Sequence, residues 1–199
     1  MRIGIDIDGV LTDVERYNID HFSKYCIKNK IEFKIEPNNY NLFKIFNVLK
    51  EHENSFWNES LFPYAKEHPI RPFASEVIKN LKNKGHEIYI ITARSLTNKN
   101  TKLGEEMRNT VKAWLDSNDV YYDKLIFSKG DNETKLNEIT EEKIDLMIED
   151  NPNNIIELSK IIPVLCYNAS YNVDCKGNNI IRVYSWYDIY QNITNLKME

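Results

Sequence analysis

The stretch Ile3-Gly4-Ile5-Asp6-Ile7-Asp8-Gly9-Val10-Leu11-Thr12-Asp13 decides how the chain is read. Ile3, Ile5 and Ile7 alternate with small or acidic residues, which predicts a buried strand that breaks at Gly9. A strand repeats every two residues, so Asp6 and Asp8 are expected on one side of it. Two carboxylates ending an apolar strand are costly to bury without a partner. A hard divalent cation supplies one, because Mg²⁺ favours carboxylate oxygens. A strand running out into a polar loop also explains a lone acidic pair. The position favours a site, since open α/β sheets bind ligands at the carboxyl ends of their strands.

The 199 residues suffice for one core, or a core plus a small inserted module. Both signs of charge are mixed and the net charge is −4, which leaves no basic footprint for a nucleic-acid polymer and no polybasic patch for a membrane. Cys26, Cys166 and Cys175 are odd in number and unpatterned, so neither a disulfide framework nor a zinc site is expected. A strand starting at Ile3 leaves no room for a signal peptide, and no apolar run reaches membrane-spanning length. The expectation is a cytoplasmic protein with no membrane partner. Assembly as a homodimer stays open, since the sequence does not speak to oligomeric state.

After Asp13 the spacing turns helical, with Ile19, Phe22 and Cys26 on one face. Asn39 to Lys50 is expected as a second helix, with Leu42, Ile45, Phe46 and Leu49 on one side. Phe56, Trp57, Phe62 and Tyr64 form an aromatic cluster, and Pro69 and Pro72 close the region. Residues 14–72 thus read as helices and loops without a strand. From Ala74 the pattern alternates between helix and strand. Strands are expected at His86–Arg94, Leu125–Phe127, Ile144–Ile148, Pro163–Tyr167 and, at an edge, Ile180–Tyr184. Gly85 is a helix stop, and helices are expected around Leu103–Leu115, Lys135–Lys143, Asn154–Lys160 and Trp186–Ile193. Such alternation predicts an α/β fold with a Rossmann-like parallel sheet.

Four strand ends carry polar groups: Asp6-Ile7-Asp8-Gly9, Thr92-Ala93-Arg94, the region of Lys129 and Lys135, and Glu149-Asp150-Asn151-Pro152. This order resembles the four motifs of the haloacid dehalogenase (HAD) superfamily of phosphatases. The resemblance covers about residues 1–13 and 73–165. It implies a HAD core at 1–13 and 73–199 and a small helical cap at 14–72, inserted after the first strand. The Asp8-Gly9-Val10-Leu11 run, the Phe56-Trp57 cluster and the Gly85-to-Arg94 strand are more similar still to the 5′(3′)-deoxyribonucleotidase branch and its bacterial relatives.

What the resemblance implies is hydrolysis of a nucleoside monophosphate through an aspartyl-phosphate. Asp6 would attack phosphorus, and Asp8 would act as general acid and base. Mg²⁺ would be held by Asp6, the backbone carbonyl of Asp8, and Asp150. Gly9, Thr92, Ala93 and a lysine would bind the phosphate. Lys135, at the start of the helix before the fourth strand, fits that lysine better than Lys129. Phe56 and Trp57 would meet the substrate from the cap, or else Trp57 and Phe62 form the cap's own core. Arg94 either contacts phosphate or solvates its loop, and the part played by Glu149 stays open. Two other readings remain: a phosphatase of sugar phosphates or other small esters, and a phosphate-binding module without turnover.

Overall fold

The computed structural model describes residues 1–129 and 134–196. Its centre is a six-stranded, all-parallel sheet in the order β3-β2-β1-β4-β5-β6. The strands are β1 (Arg2–Ile5), β2 (Glu87–Thr92), β3 (Lys124–Phe127), β4 (Leu146–Glu149), β5 (Val164–Tyr167) and β6 (Ile180–Val183). In β1, β2, β4 and β5 nearly every residue is apolar and buried, as a sheet covered on both faces requires. Alternate residues serve the two faces. Ile3, Ile5, Ile88, Ile90, Leu146, Ile148 and Leu165 join one core, while Ile91, Met147, Val164 and Cys166 join the other.

Among the described residues, four helices precede β2, β3, β4 and β5 in turn and a fifth follows β6, and they cover the sheet: α4 (Ala74–Asn83), α5 (Lys102–Ser117), α6 (Leu136–Glu141), α7 (Pro152–Leu158) and α8 (Trp186–Asn195). Helix α4 ends where the spacing placed it, and Gly85 takes the positive φ of 86° that turns the chain into β2. Strand order reverses on either side of β1, so its carboxyl end opens a crevice between the ends of β2 and β4.

Between β1 and α4 lie α1 (Val14–Lys28), α2 (Leu42–Ile45) and α3 (Lys50–Glu67), with no strand among them. They share a third core of Tyr17, Phe22, Cys26, Leu42, Ile45, Phe46, Phe56 and Tyr64. The single long helix expected over Asn39–Lys50 is not there. Only Leu42–Ile45 is helical, Asn47 takes a left-handed φ of 52°, and Leu49 is 65% exposed at the N-cap of α3. Asparagine tolerates that backbone conformation better than most residues, and here it ends the turn. The aromatic cluster instead sits on α3, which runs through Pro63. No helix among the described residues is long and apolar enough to cross a membrane.

Candidate active site

Strand β1 stops at Ile5, one residue short of the acids. The Asp6 amide still donates to the Ile148 carbonyl of β4 (3.1 Å), and residues 7–11 then coil into a tight turn. Strand alternation therefore does not govern the two aspartates, and each carboxylate meets its own set of partners. Gly9 makes the turn, with φ at 90°, and a Cβ there would run into the Asp150 carboxylate. The room that glycine leaves is used by Asp150. Arg71 braces the turn from outside, donating to the Thr12 and Gly9 carbonyls (3.1 and 3.3 Å) and pairing with Asp13 (3.2 Å).

Asp6 faces β4. Lys135 Nζ, 1% exposed, donates to Asp6 (2.5 Å) and to Glu149 (2.8 Å). The start of α6 thus delivers Lys135 to the carboxylates, whereas Lys129 is exposed. The Gly130-Asp131-Asn132 stretch beside Lys129 lies outside the described residues. Glu149 is spent on anchoring: its other oxygen accepts the amides of Asp150 (3.2 Å) and Asn151 (3.0 Å). One oxygen from each of Asp6, Glu149 and Asp150 lies within 4.8 Å of the others. Burial pushes the Asp6 carboxyl up to about 7, with Lys135 opposing and Glu149 and Asp8 adding to it. Burial raises Asp150 too, with Glu149 and Asp6 adding to it. Three buried carboxylates against one ammonium leave an excess of negative charge on hard oxygens. That donor set fits a Mg²⁺-type cation, with Asp6 and Asp150 the carboxylates left to hold it.

Asp8 faces the other way. Arg94 Nε (3.1 Å) and Nη2 (2.5 Å) clamp its carboxylate, and the Tyr64 hydroxyl donates to it as well (2.7 Å). Burial would raise this carboxyl, but Arg94, the Tyr64 hydroxyl and Lys135 together outweigh it and hold Asp8 below the usual range. Arg94 therefore neither solvates its loop nor lies open: it is 5% exposed and committed to Asp8. The Thr92 hydroxyl is buried and accepts the Arg94 amide (3.2 Å), while Ala93 lies exposed at the strand end.

A cavity of about 810 Å³ runs from Asp8, Ala93 and Arg94 up to Trp57, Asn54 and Asn58 of α3. Trp57 lines it. Phe56 does not: it is 2% exposed, stacked edge-on against Phe22 in the core of the helical layer. Tyr40 and Tyr171 also line the cavity, and Tyr171 donates a hydrogen bond to Asp150. Sequence reading missed Tyr171, Arg71 and the pairing of Arg94 with Asp8. All three depend on where loops far apart in the chain meet, and no local spacing announces that.

The geometry agrees with the comparisons. Residues 1–198 match the family model of the 5′ nucleotidase, deoxy (pyrimidine), cytosolic type C protein. A nucleotidase of Clostridium acetobutylicum is 32% identical over 191 residues, covering 96% of this chain and 92% of that one. Among solved structures, a HAD-superfamily hydrolase from Ehrlichia chaffeensis aligns with a TM-score of 0.57 at 18% identity, over 98% of this chain and 96% of that one. The D,D-heptose 1,7-bisphosphate phosphatase of B. bronchiseptica, solved with magnesium and phosphate, aligns with a TM-score of 0.58 at 8% identity, over 99% and 100% of the two chains. The fold is the HAD fold, the chain is a phosphoric monoester hydrolase, and it belongs to the family of the 5′ nucleotidase, deoxy (pyrimidine), cytosolic type C protein.

Proposed function

We propose that this chain is a Mg²⁺-dependent phosphatase of nucleoside monophosphates, deoxynucleotides foremost, working through an aspartyl-phosphate on Asp6. The observation that carries this reading is the cavity that joins Asp8 and Arg94 to Trp57. Its volume, about 810 Å³, is within the range of small-molecule sites. Leu61, Phe62, Leu96 and Leu103 give it apolar walls beside Trp57, which suits a flat heterocycle, while Asp8, Ala93 and Arg94 line its other end.

In this scheme Asp6 attacks phosphorus and the ester oxygen leaves with a proton from Asp8. A water then attacks the acyl phosphate, gives its proton to Asp8, and Asp6 returns as carboxylate. The hydrogen bonds that Arg94 and Tyr64 donate to the Asp8 carboxylate favour the form that accepts a proton in this second half. Lys135 offsets charge beside Asp6, and the Thr92 hydroxyl and Ala93 amide receive phosphate oxygens. Mg²⁺, held by Asp6, the Asp8 carbonyl and Asp150, would supply electrostatic stabilisation of the transferring group. Residues 14–72 act as a cap that excludes water and selects the substrate.

A sugar-phosphate phosphatase is the runner-up, because Asn18, Asn54 and Asn58 along the cavity could bind hydroxyls. A bisphosphate fits poorly. Among the described residues lining the cavity the one cation is Arg94, already committed to Asp8. The test is phosphate release from a panel of nucleoside monophosphates, deoxynucleoside monophosphates and sugar phosphates, with Mg²⁺ and with EDTA. Release is expected from the nucleotides, fastest from the deoxy forms, and to stop with EDTA. Release from sugar phosphates alone would overturn the substrate, and release undiminished by EDTA would overturn the metal.

A further inference from the structure

Loop 168–172, after β5, does more than connect strands. It folds back over the end of β4 and touches both Asp150 and the helical layer. The Tyr171 hydroxyl donates to the Asp150 carboxylate. Next to it Asn172, 1% exposed, donates through Nδ2 to the Asp150 carbonyl (2.9 Å) and the Tyr167 carbonyl (2.9 Å). Arg182 fixes Asn172 in turn, through its Oδ1 (2.7 Å) and its carbonyl (2.8 Å). On the other side, the Ser170 amide donates to Glu15 of α1 (3.1 Å), and the Ser170 hydroxyl donates to the Pro37 carbonyl (2.6 Å). Tyr40 stands edge-on to the Tyr171 ring, with centroids 5.2 Å apart.

We propose that Tyr171 is a positioning residue for the Asp150 carboxylate, and that Tyr40 ties that carboxylate to the seating of residues 14–72. The proposal rests on reading Asp150 as a metal ligand, and not on any choice of substrate. A hydrogen bond to one carboxylate oxygen fixes the plane of the group and presents the other oxygen to a cation. Partners of this kind set ligand orientation, and their loss costs about 10–100-fold in metal affinity. Because the phenol ring is held from the α1–α2 side, displacement of that layer loosens the hydroxyl. Mg²⁺ binding and seating of the layer then favour each other, as linkage demands.

The test is calorimetric titration of the full chain with Mg²⁺, without substrate, for wild type, Tyr171→Phe and Tyr40→Ala. Tyr171→Phe keeps the ring and its contact with Tyr40, so the metal-free protein is expected to stay folded, melting somewhat lower for the lost hydrogen bond to a buried carboxylate. Its Mg²⁺ affinity is expected to fall about 10–100-fold. Tyr40→Ala keeps the Tyr171 hydroxyl and is expected to show a smaller loss, of about fivefold, the low end of coupling between two sites. Affinity of Tyr171→Phe within twofold of wild type, or tighter, would overturn the positioning role. An unchanged Tyr40→Ala would overturn the link to the helical layer. No Mg²⁺ binding by wild type would overturn the reading of Asp150 as a ligand, and with it this inference, whatever the substrate panel shows.

Discussion

Asp6→Asn is expected to lower phosphate release by roughly 10⁴-fold or more, the scale on which loss of a nucleophile acts. Asparagine has the same shape, and Asp6 is 6% exposed in a packed pocket, so the change removes chemistry without opening a cavity. It also takes one negative charge from a cluster in which Asp6, Glu149 and Asp150 crowd around one ammonium. Lys135 keeps Glu149 as its partner at 2.8 Å. Unfolding of the metal-free Asp6→Asn protein is therefore expected at or above the wild-type temperature, because burial already disfavours the Asp6 carboxylate. Initial rates beside a melting curve check both halves. Turnover within tenfold of wild type would show that the phosphoryl group does not pass through Asp6.

Lys135→Met is expected to damage stability and activity together. The methionine fills much of the same volume, but the ammonium that serves Asp6 and Glu149 is gone. Removing one member of a buried ionic cluster leaves the others uncompensated, at about 3–5 kcal/mol. That is a large share of the 5–15 kcal/mol by which a typical domain is stable. Added Mg²⁺ is expected to raise the melting temperature of Lys135→Met more than that of wild type, since a cation replaces part of the missing charge. The double variant Lys135→Met/Glu149→Gln is expected to recover part of the loss. A single variant melting within a degree or two of wild type would show that Lys135 does not hold the carboxylates.

Much of this was legible in the sequence because burial writes itself locally. Ile88-Tyr89-Ile90-Ile91 and Leu146-Met147-Ile148 are apolar without interruption, as only strands covered on both faces need to be. The acids and Thr92 stand where those runs stop, so the strand ends could be read as a site. Lys135 could be placed because it opens a helix leading into β4. The failures share a cause as well. Leu42 to Leu49 has helical spacing, yet Asn47 reverses the backbone, and periodicity does not register one residue's φ. Asp6 and Asp8 looked like a strand pair, but the turn at Gly9 splits them between Lys135 and Arg94. Tyr171 reaches Asp150 across 21 residues, through the adjacency of β4 and β5 and a loop that bends back. Contacts of that kind belong to the tertiary fold, and single-sequence patterns do not carry them.

The most direct test of the account is to look for the phosphoryl group on Asp6. The full chain, in excess over a ³²P-labelled deoxynucleoside monophosphate and with Mg²⁺, is quenched in acid over one turnover and digested. Label is expected on the peptide that contains Asp6, rising before free phosphate appears, falling as it does, and sensitive to hydroxylamine as an acyl phosphate is. Phosphate released through a full turnover with no label on that peptide, or with label on another residue, would contradict the account.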